Sequence, residues 1–257
     1  MTERVTLVID ADALERIRID QGSLAVTARG RSEQRVPISR LLRVDVTGVP
    51  ARGFESLLEL AACSVPVTFF RRSGAVLAQV FHPRVASTAL SHWLAELFTV
   101  NGESDCYRAW RENHLRCIHR QAGIQGGSSE QRDREHGQRL LSELRRMELY
   151  DAYSGLAPLQ EGLVCARVGE QLLRFGVLPG GPAHARLARD LESLASRWLM
   201  GQTLEWLVRL EGNAGAPLFV RYLQSLSSNA LDEWLHLILS RLSESAAAGA
   251  LHHDTAT

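Results

Sequence analysis

The 257-residue sequence contains no lysine, so all 29 of its basic residues are arginine, and they balance 29 acidic residues. It also lacks any apolar run near the roughly 20 residues that a membrane-spanning helix needs, and its first residues carry no signal-peptide pattern. A net charge of zero excludes the strong basic excess that would by itself indicate nucleic-acid binding. Exclusive use of arginine suits phosphate contacts, but a GC-rich genome that favours arginine codons is the simpler explanation.

Cysteine is scarce as well, with four residues, no close pair and no Cys-x-x-Cys motif. This distribution predicts reduced thiols and a cytoplasmic location rather than a disulfide framework. The sequence has no Gly-x-Ser-x-Gly motif, and the glycines at 123, 126 and 127 lack the strand–loop–helix frame of a phosphate-binding loop. A glycine linker accounts for these three glycines.

Short β-rich segments separated by turn residues occupy the chain up to about residue 85. A single helix is predicted at 53–63, where apolar residues form a wide face. After residue 85, apolar residues recur at helical spacing almost throughout. The strands are predicted at 5–9, 16–19, 24–27, 36–38, 42–46, 65–70 and 75–81, and the later helices at 87–99, 104–122, 129–152, 159–176, 182–210, 218–227 and 229–247.

These patterns predict an α+β protein with two domains. The first, at 1–85, is a β-sandwich-like domain with one packed helix, and the second, at 86–250, is all-helical. The polar end of the chain, 251–257, is expected to be a disordered tail.

Two stretches carry a family resemblance. The first is the strand–turn–strand run VPVTFFRRSGAVLAQVF at 65–81, which follows earlier strands and a single helix. The second, at 207–214, reads LVRLEGNA, and the segment 229–249 after it is similar to the next family helix. The sequence thus resembles the CRISPR-associated integrase and endonuclease family, which supplies the catalytic subunit of the spacer-acquisition complex.

The resemblance implies a β-rich dimerisation-type domain followed by a metal-dependent helical domain, with DNA and a homodimer or larger CRISPR-associated complex as partners. The family's first metal ligand is the Glu of a Leu-x-x-hydrophobic-Glu-Gly-x-Ala pattern, which assigns Glu211 as the catalytic metal ligand. Mg²⁺ or Mn²⁺ is the implied ion, because hard divalent cations stabilise charge on transferring phosphoryl oxygens. The family's later His and Asp ligands have no counterpart here, so we expect a C-terminally truncated or degenerate member with an incomplete site.

The helix predicted at 104–122 is the best candidate for nucleic-acid binding. It carries Arg108, Arg111, Arg116 and Arg120, and the neighbouring rings of Tyr107 and Trp110 are of the type that stacks on bases. A solvated helix face whose Trp packs inward accounts for the same pattern.

Three functions from different classes fit these observations. The first is a CRISPR adaptation integrase-like protein that binds DNA or a partner and has an incomplete catalytic metal site. The second is an active metal-dependent DNA endonuclease or integrase whose site is completed by another chain. The third is a structural subunit of a CRISPR effector or other defence complex.

Overall fold

The computed structural model describes residues 4–81, 90–91, 93–94, 105–177, 182–210, 215–226 and 230–253. The chain divides into two compact units, one formed by Met1–Arg84 with Pro158–Ala166 and the other by Val85–Ala157 with Arg167–Thr257. Strands come first and helices follow, which confirms the predicted α+β class. Within the described ranges, no helix is both long and apolar enough to cross a membrane.

The strands of the first unit form two sheets. A mixed sheet has the order β1-β5-β6-β7, in which β1, β5 and β6 are mutually parallel and β7 is antiparallel to β6. An antiparallel sheet has the order β2-β3-β4. The bounds are β1 Val5–Asp10, β2 Leu14–Asp20, β3 Ser23–Ala28, β4 Gln34–Pro37, β5 Leu41–Thr47, β6 Val67–Phe70 and β7 Val76–Val80, with a 3-10 turn at Ile38–Arg40 and helix α1 at Phe54–Ala62.

The core of the first unit lies where β5 and β6 meet α1. Val44 and Val46 of β5 project from one face of the strand and are fully buried, because alternate residues of a strand point to opposite faces. Leu57 and Leu60, three residues apart on α1, present the helix's apolar side to the same cluster. The parallel pairing of β1 with β5 follows from the intervening β2–β4 sheet, which supplies the long crossover that parallel strands need.

The helices of the remaining chain are α2 Asp105–Gln121, α3 Ser129–Arg146, α4 Tyr150–Arg174, α5 Pro182–Arg209, α6 Ala216–Ser225 and α7 Leu231–His253. Helix α5 packs against α2, α3 and α7. A second hydrophobic cluster joins α3, α5 and α6, with Leu144, Leu207 and Phe219 fully buried in it. The predicted helix at 87–99 falls largely outside the described residues, and the four of its positions that are described are helical.

Two predicted boundaries in the helical region are wrong. The sequence placed a break between 152 and 159, whereas α3 ends at Arg146 and α4 runs without interruption from Tyr150 to Arg174. The turn instead lies at Glu148, whose φ is +56°, and Pro158 sits inside α4. An interior proline removes one backbone donor and normally kinks or ends a helix, but α4 accommodates Pro158 without a break.

The tail expected to be disordered from residue 251 begins as helix, because α7 continues to His253. The run of alanines at 246–248 explains the continuation, since alanine has the highest intrinsic helix propensity. Residues 254–257 lie outside the described part of the chain.

Two glycines allow α4 to lie directly on the β6–β7 turn within the first unit. A Cβ added to Gly162 would come within 1.7 Å of the Gly74 carbonyl oxygen, and one added to Gly74 would meet the Leu159 backbone at 2.4 Å. Gln79 of β7 also donates a hydrogen bond from Nε2 to the Ala166 carbonyl at 2.9 Å. The segment 158–166, which a boundary at residue 85 assigns to the helical domain, therefore packs with the strands.

We expect Gly162→Ala to lower the free energy of unfolding by roughly 1–3 kcal/mol, because the new methyl group overpacks the contact with Gly74. Gly155→Ala, in the same helix but with no atom near the added Cβ, should instead raise it by about 0.5–1 kcal/mol. Urea denaturation of both variants measures the difference. Equal effects of the two substitutions would contradict the close approach.

Candidate nucleic-acid interface

Three of the four predicted arginines share the exposed side of α2. Arg108, Arg116 and Arg120 are all exposed, and their spacing by multiples of four places them along one face of the helix. The exposed row also contains Glu112, which lies between the first two arginines. Arg108, Arg116 and Arg120 therefore form an exposed row on α2.

The partners of Arg116 and Arg120 are neutral. Arg116 donates from Nη2 to the Asn113 side-chain oxygen at 2.7 Å, and Arg120 Nη2 lies 3.8 Å from the Cys117 sulfur. Both contacts link residues three positions apart on α2, so they hold the guanidinium groups against the helix without cancelling their charge. Their positive charge remains available to an anion.

Arg132 of α3 joins Arg116 and Arg120 on this surface. The chain turns between α2 and α3 through Gly123, Gly126 and Gly127, all at positive φ, and α3 then begins with a capping box between Ser128 and Gln131. Arg132 follows directly and donates from Nη1 to the Gly127 carbonyl at 2.6 Å. The loop therefore fixes the guanidinium of Arg132.

The two helices and the loop enclose a cleft of about 490 Å³. We call it the arginine cleft; it is lined by Asn113, Arg116, Cys117, Arg120, Ile124, Gln125, Gly126 and Arg132. Among the described residues, no carboxylate forms an ion pair with Arg116, Arg120 or Arg132. The cleft combines three guanidinium groups with exposed backbone, which is the chemistry that binds phosphate oxygens.

Arg111 and the aromatic rings of α2 lie on a different side of the helix. Arg111 is half-buried and pairs with Asp190 of α5 at 3.3 Å, and the Tyr107 hydroxyl donates to the same carboxylate at 2.9 Å. Burial, followed by the charge of Asp190, raises the pKa of Tyr107 well above its usual range. Trp110 stacks on Tyr107 with 5.3 Å between ring centroids. These rings pack inward, as the alternative interpretation of the helix expected.

A polar junction lies directly behind the cleft. His119 on α2 donates from Nε2 to Asp133 Oδ1 on α3 at 2.8 Å. Arg197 on α5 donates from Nε and Nη2 to the two oxygens of the same carboxylate, each at 2.7 Å. One carboxylate thus joins three helices. His119 and Asp133 are the immediate sequence neighbours of the cleft residues Arg120 and Arg132.

The predicted metal ligand cannot be placed in this geometry. Glu211 and the rest of 211–214 lie outside the described residues, just beyond the end of α5. Over the ranges that are described, no three His, Cys, Asp or Glu side chains are grouped so that they could hold a metal ion. The described part of the chain therefore gives no ligand set into which Mg²⁺ or Mn²⁺ fits.

Comparison with known proteins identifies the fold. No family model and no curated protein matches the chain. A Cas1 protein from Thermotoga maritima superimposes with a TM-score of 0.58 at 13% identity, over 95% of this chain and 97% of that one. The chain has the Cas1 fold. A casposase bound to integration product gives 0.60 at 11% identity, over 95% and 91% of the two chains. A TtCas1–DNA complex gives 0.52 at 14% identity, over 94% and 97%.

The resemblance seen in the sequence is therefore confirmed at the level of the fold. Arg132 lines the cleft, and the sequence analysis did not single it out. The signal that could have found it is the Ser-x-x-Gln capping box at 128–131, which places residue 132 in the first turn of α3 beside the loop.

Proposed function

We propose that the protein is a CRISPR adaptation integrase-like DNA-binding protein that holds backbone phosphates in the arginine cleft. The observation that carries the proposal is the cleft itself, on a Cas1 fold, with three arginines whose partners are neutral. Guanidinium groups bind phosphate through paired N–H donors, and such contacts position a nucleic acid without reading its sequence. The protein therefore binds DNA through the phosphates of the DNA backbone.

The charge arrangement of the chain supports this proposal. Arginine and acid are equal in number, and elsewhere in the helical unit arginines such as Arg111 and Arg197 are neutralised by carboxylates. A neutral protein binds a polyanion only where its positive charge is locally in excess. The arginine cleft is such a place. Arg108, also exposed on α2, extends the same face of the helix.

The fold relatives support the choice of ligand. One structure with this fold is a complex of a Cas1 protein with DNA, and another is a casposase bound to integration product. Binding through phosphate contacts needs no metal ion, whereas cleavage or joining of DNA needs one that is held by several ligands. Glu211 is the one residue of this chain that lies in a family metal motif. We propose that the catalytic site is incomplete, because one carboxylate does not hold the ion.

We also propose that the first unit forms a homodimer through the exposed edge of its mixed sheet. Strand β1 is an edge strand, and its Val8 side chain is 70% exposed. An edge strand presents unpaired backbone groups, and an exposed apolar side chain on it favours pairing with another chain. A second copy of this chain satisfies both features.

Substitution of the cleft arginines by alanine should weaken binding to a branched DNA duplex roughly tenfold for each residue, because each removes a charge-assisted hydrogen bond. Arg116→Ala, Arg120→Ala and Arg132→Ala should also each reduce the slope of log affinity against log salt by about 0.9. Fluorescence anisotropy over a salt series measures both. Arg134→Ala is the matched control, since this residue is exposed on α3 outside the cleft.

The thiol of Cys117 provides a second measurement of the same prediction. Cys117 lines the cleft and is exposed, and Cys63 is exposed in the first unit. Bound DNA should slow alkylation of Cys117 and leave the rate at Cys63 unchanged, as followed by peptide mass mapping. Equal rates at Cys117 with and without saturating DNA would contradict binding in the cleft.

Purified alone, the protein should neither cleave nor join branched DNA to a robust extent with Mg²⁺ or Mn²⁺. A single carboxylate leaves an ion too loosely placed to align the attacking and leaving oxygens, which costs orders of magnitude in rate. Binding should persist in EDTA. The assay compares wild type with Glu211→Ala. Strong turnover that this substitution abolishes would establish the active endonuclease or integrase instead.

Val8→Arg should convert the dimer to a monomer, because a long charged side chain on an edge strand blocks pairing. Leu237→Arg, at a comparably exposed leucine of α7, should leave the dimer intact. Light scattering at micromolar concentration measures the mass. A monomeric wild type with no partner recovered from cells would contradict the proposed dimer.

A further inference from the structure

Two histidines are buried side by side behind the arginine cleft. His119 of α2 and His136 of α3 are both inaccessible to solvent, and their rings meet edge to face with 5.9 Å between centroids. His136 lies over Gly201 of α5, where an added Cβ would stand 3.5 Å from its Cε1. The three helices that meet here include both walls of the cleft.

The ring nitrogens of this pair are almost entirely unpartnered. His119 uses Nε2 to reach Asp133, and its Nδ1 has no partner; both nitrogens of His136 also lack one within the described protein. A neutral imidazole tolerates this environment far better than a charged one, because desolvation penalises an ion much more than a dipole. The geometry thus selects the uncharged form of both rings.

The charges around the pair make protonation costly. Charged or titratable groups from three helices face the two rings. Helix α2 contributes His119 itself, α3 contributes Arg132, Asp133 and Arg139, and α5 contributes Arg197. Asp133 is the only acid among them, and Arg197 already occupies both of its oxygens. A proton added to His136 would therefore face the guanidinium groups of Arg139 and Arg197, and the one acid nearby, Asp133, already accepts hydrogen bonds from His119 and Arg197.

We propose that the His119–His136 pair is a proton-sensitive latch, which holds α2 against α3 while both rings are neutral and releases the two helices when they protonate. The released rings gain water, and the walls of the arginine cleft separate because Arg120 adjoins His119 in sequence and Arg132 adjoins Asp133, the hydrogen-bond partner of His119. The latch stands on the geometry of the junction alone. Its consequence for DNA rests on the proposed function.

The direction of the pH dependence follows from the titration of the two rings. Burial lowers the pKa of His119, and burial followed by the charge of His119 lowers the pKa of His136 to about 4. An unfolded histidine has a pKa near 6.5, so the unfolded chain binds more protons than the folded one below that value. The latch is fully closed above about pH 6.5 and is lost as pH falls toward 4.

The first test is the unfolding equilibrium of wild type and His136→Phe between pH 8 and pH 4.5. The phenylalanine keeps a ring at the junction and cannot be protonated. As the pH falls below 6.5, we expect the equilibrium constant for unfolding to increase about tenfold more per pH unit for the wild type than for the variant. His236→Phe removes an exposed histidine and should track the wild type. Parallel curves for His136→Phe and wild type would overturn the latch.

A measurement on the unsubstituted protein keeps the proposal testable if the variant does not fold. The ring signals of His136, followed by NMR, should stay in the neutral form down to about pH 5.5, and those of His119 should protonate only below the usual histidine range. Hydrogen exchange, corrected for intrinsic rates, should show α2 and α3 losing protection before the strands of the first unit. Titration of either ring near pH 6.5 with protection unchanged would overturn the latch.

The DNA arm separates the latch from the proposed function. At pH 8, His136→Phe should bind the branched duplex as tightly as wild type, and at pH 5.5 it should bind more tightly. If His136→Phe removes the pH dependence of unfolding but the arginine substitutions leave the affinity for DNA unchanged, the latch is retained and the cleft is rejected as the DNA site. Identical DNA affinities of the two proteins at pH 5.5 would overturn the proposed link between them.

Discussion

The carboxylate of Asp133 is the contact on which the helical unit depends most. It accepts hydrogen bonds from His119 and from two nitrogens of Arg197, so a single side chain fixes α2, α3 and α5 relative to one another. Bidentate guanidinium–carboxylate pairs have defined geometry as well as strength, and a partly buried one is screened less than a surface pair. Because α2 and α3 form the walls of the cleft, this contact also sets the distance between those walls.

Because the chain has no lysine, arginine provides all of its Lys/Arg-type positive charges. These arginines have different structural roles. Arg111 and Arg197 act as internal braces to carboxylates, whereas Arg132 and Arg139 hold the loop between α2 and α3 by donating to its carbonyls. The same planar fork serves both purposes because it offers several donors in fixed directions. Net charge therefore says little about where this protein can meet an anion.

Most of the fold could be predicted from the sequence, because apolar residues follow strand spacing in the first part of the chain and helical spacing in the rest. Strand positions agree within a few residues, but the parallel pairing of β1 with β5 depends on contacts far apart in the chain, and α4 continues through the stretch where a break was predicted. Arg116 and Arg120 were found by spacing on one helix. Arg132 was not, because it joins them only through a loop and a second helix, a relation that no local pattern contains.

The first unit is not a continuous stretch of chain, since residues 158–166 of α4 complete it. During synthesis the strands emerge early, yet the helical segment that covers the β6–β7 turn is made some 80 residues later, at a ribosomal rate of about 5–20 residues per second. Until then the turn around Gly74 lacks its partner. The strands therefore remain partly uncovered until the first half of the helical unit has been synthesised. The topology thus sets the order in which the parts of the first unit can complete their packing.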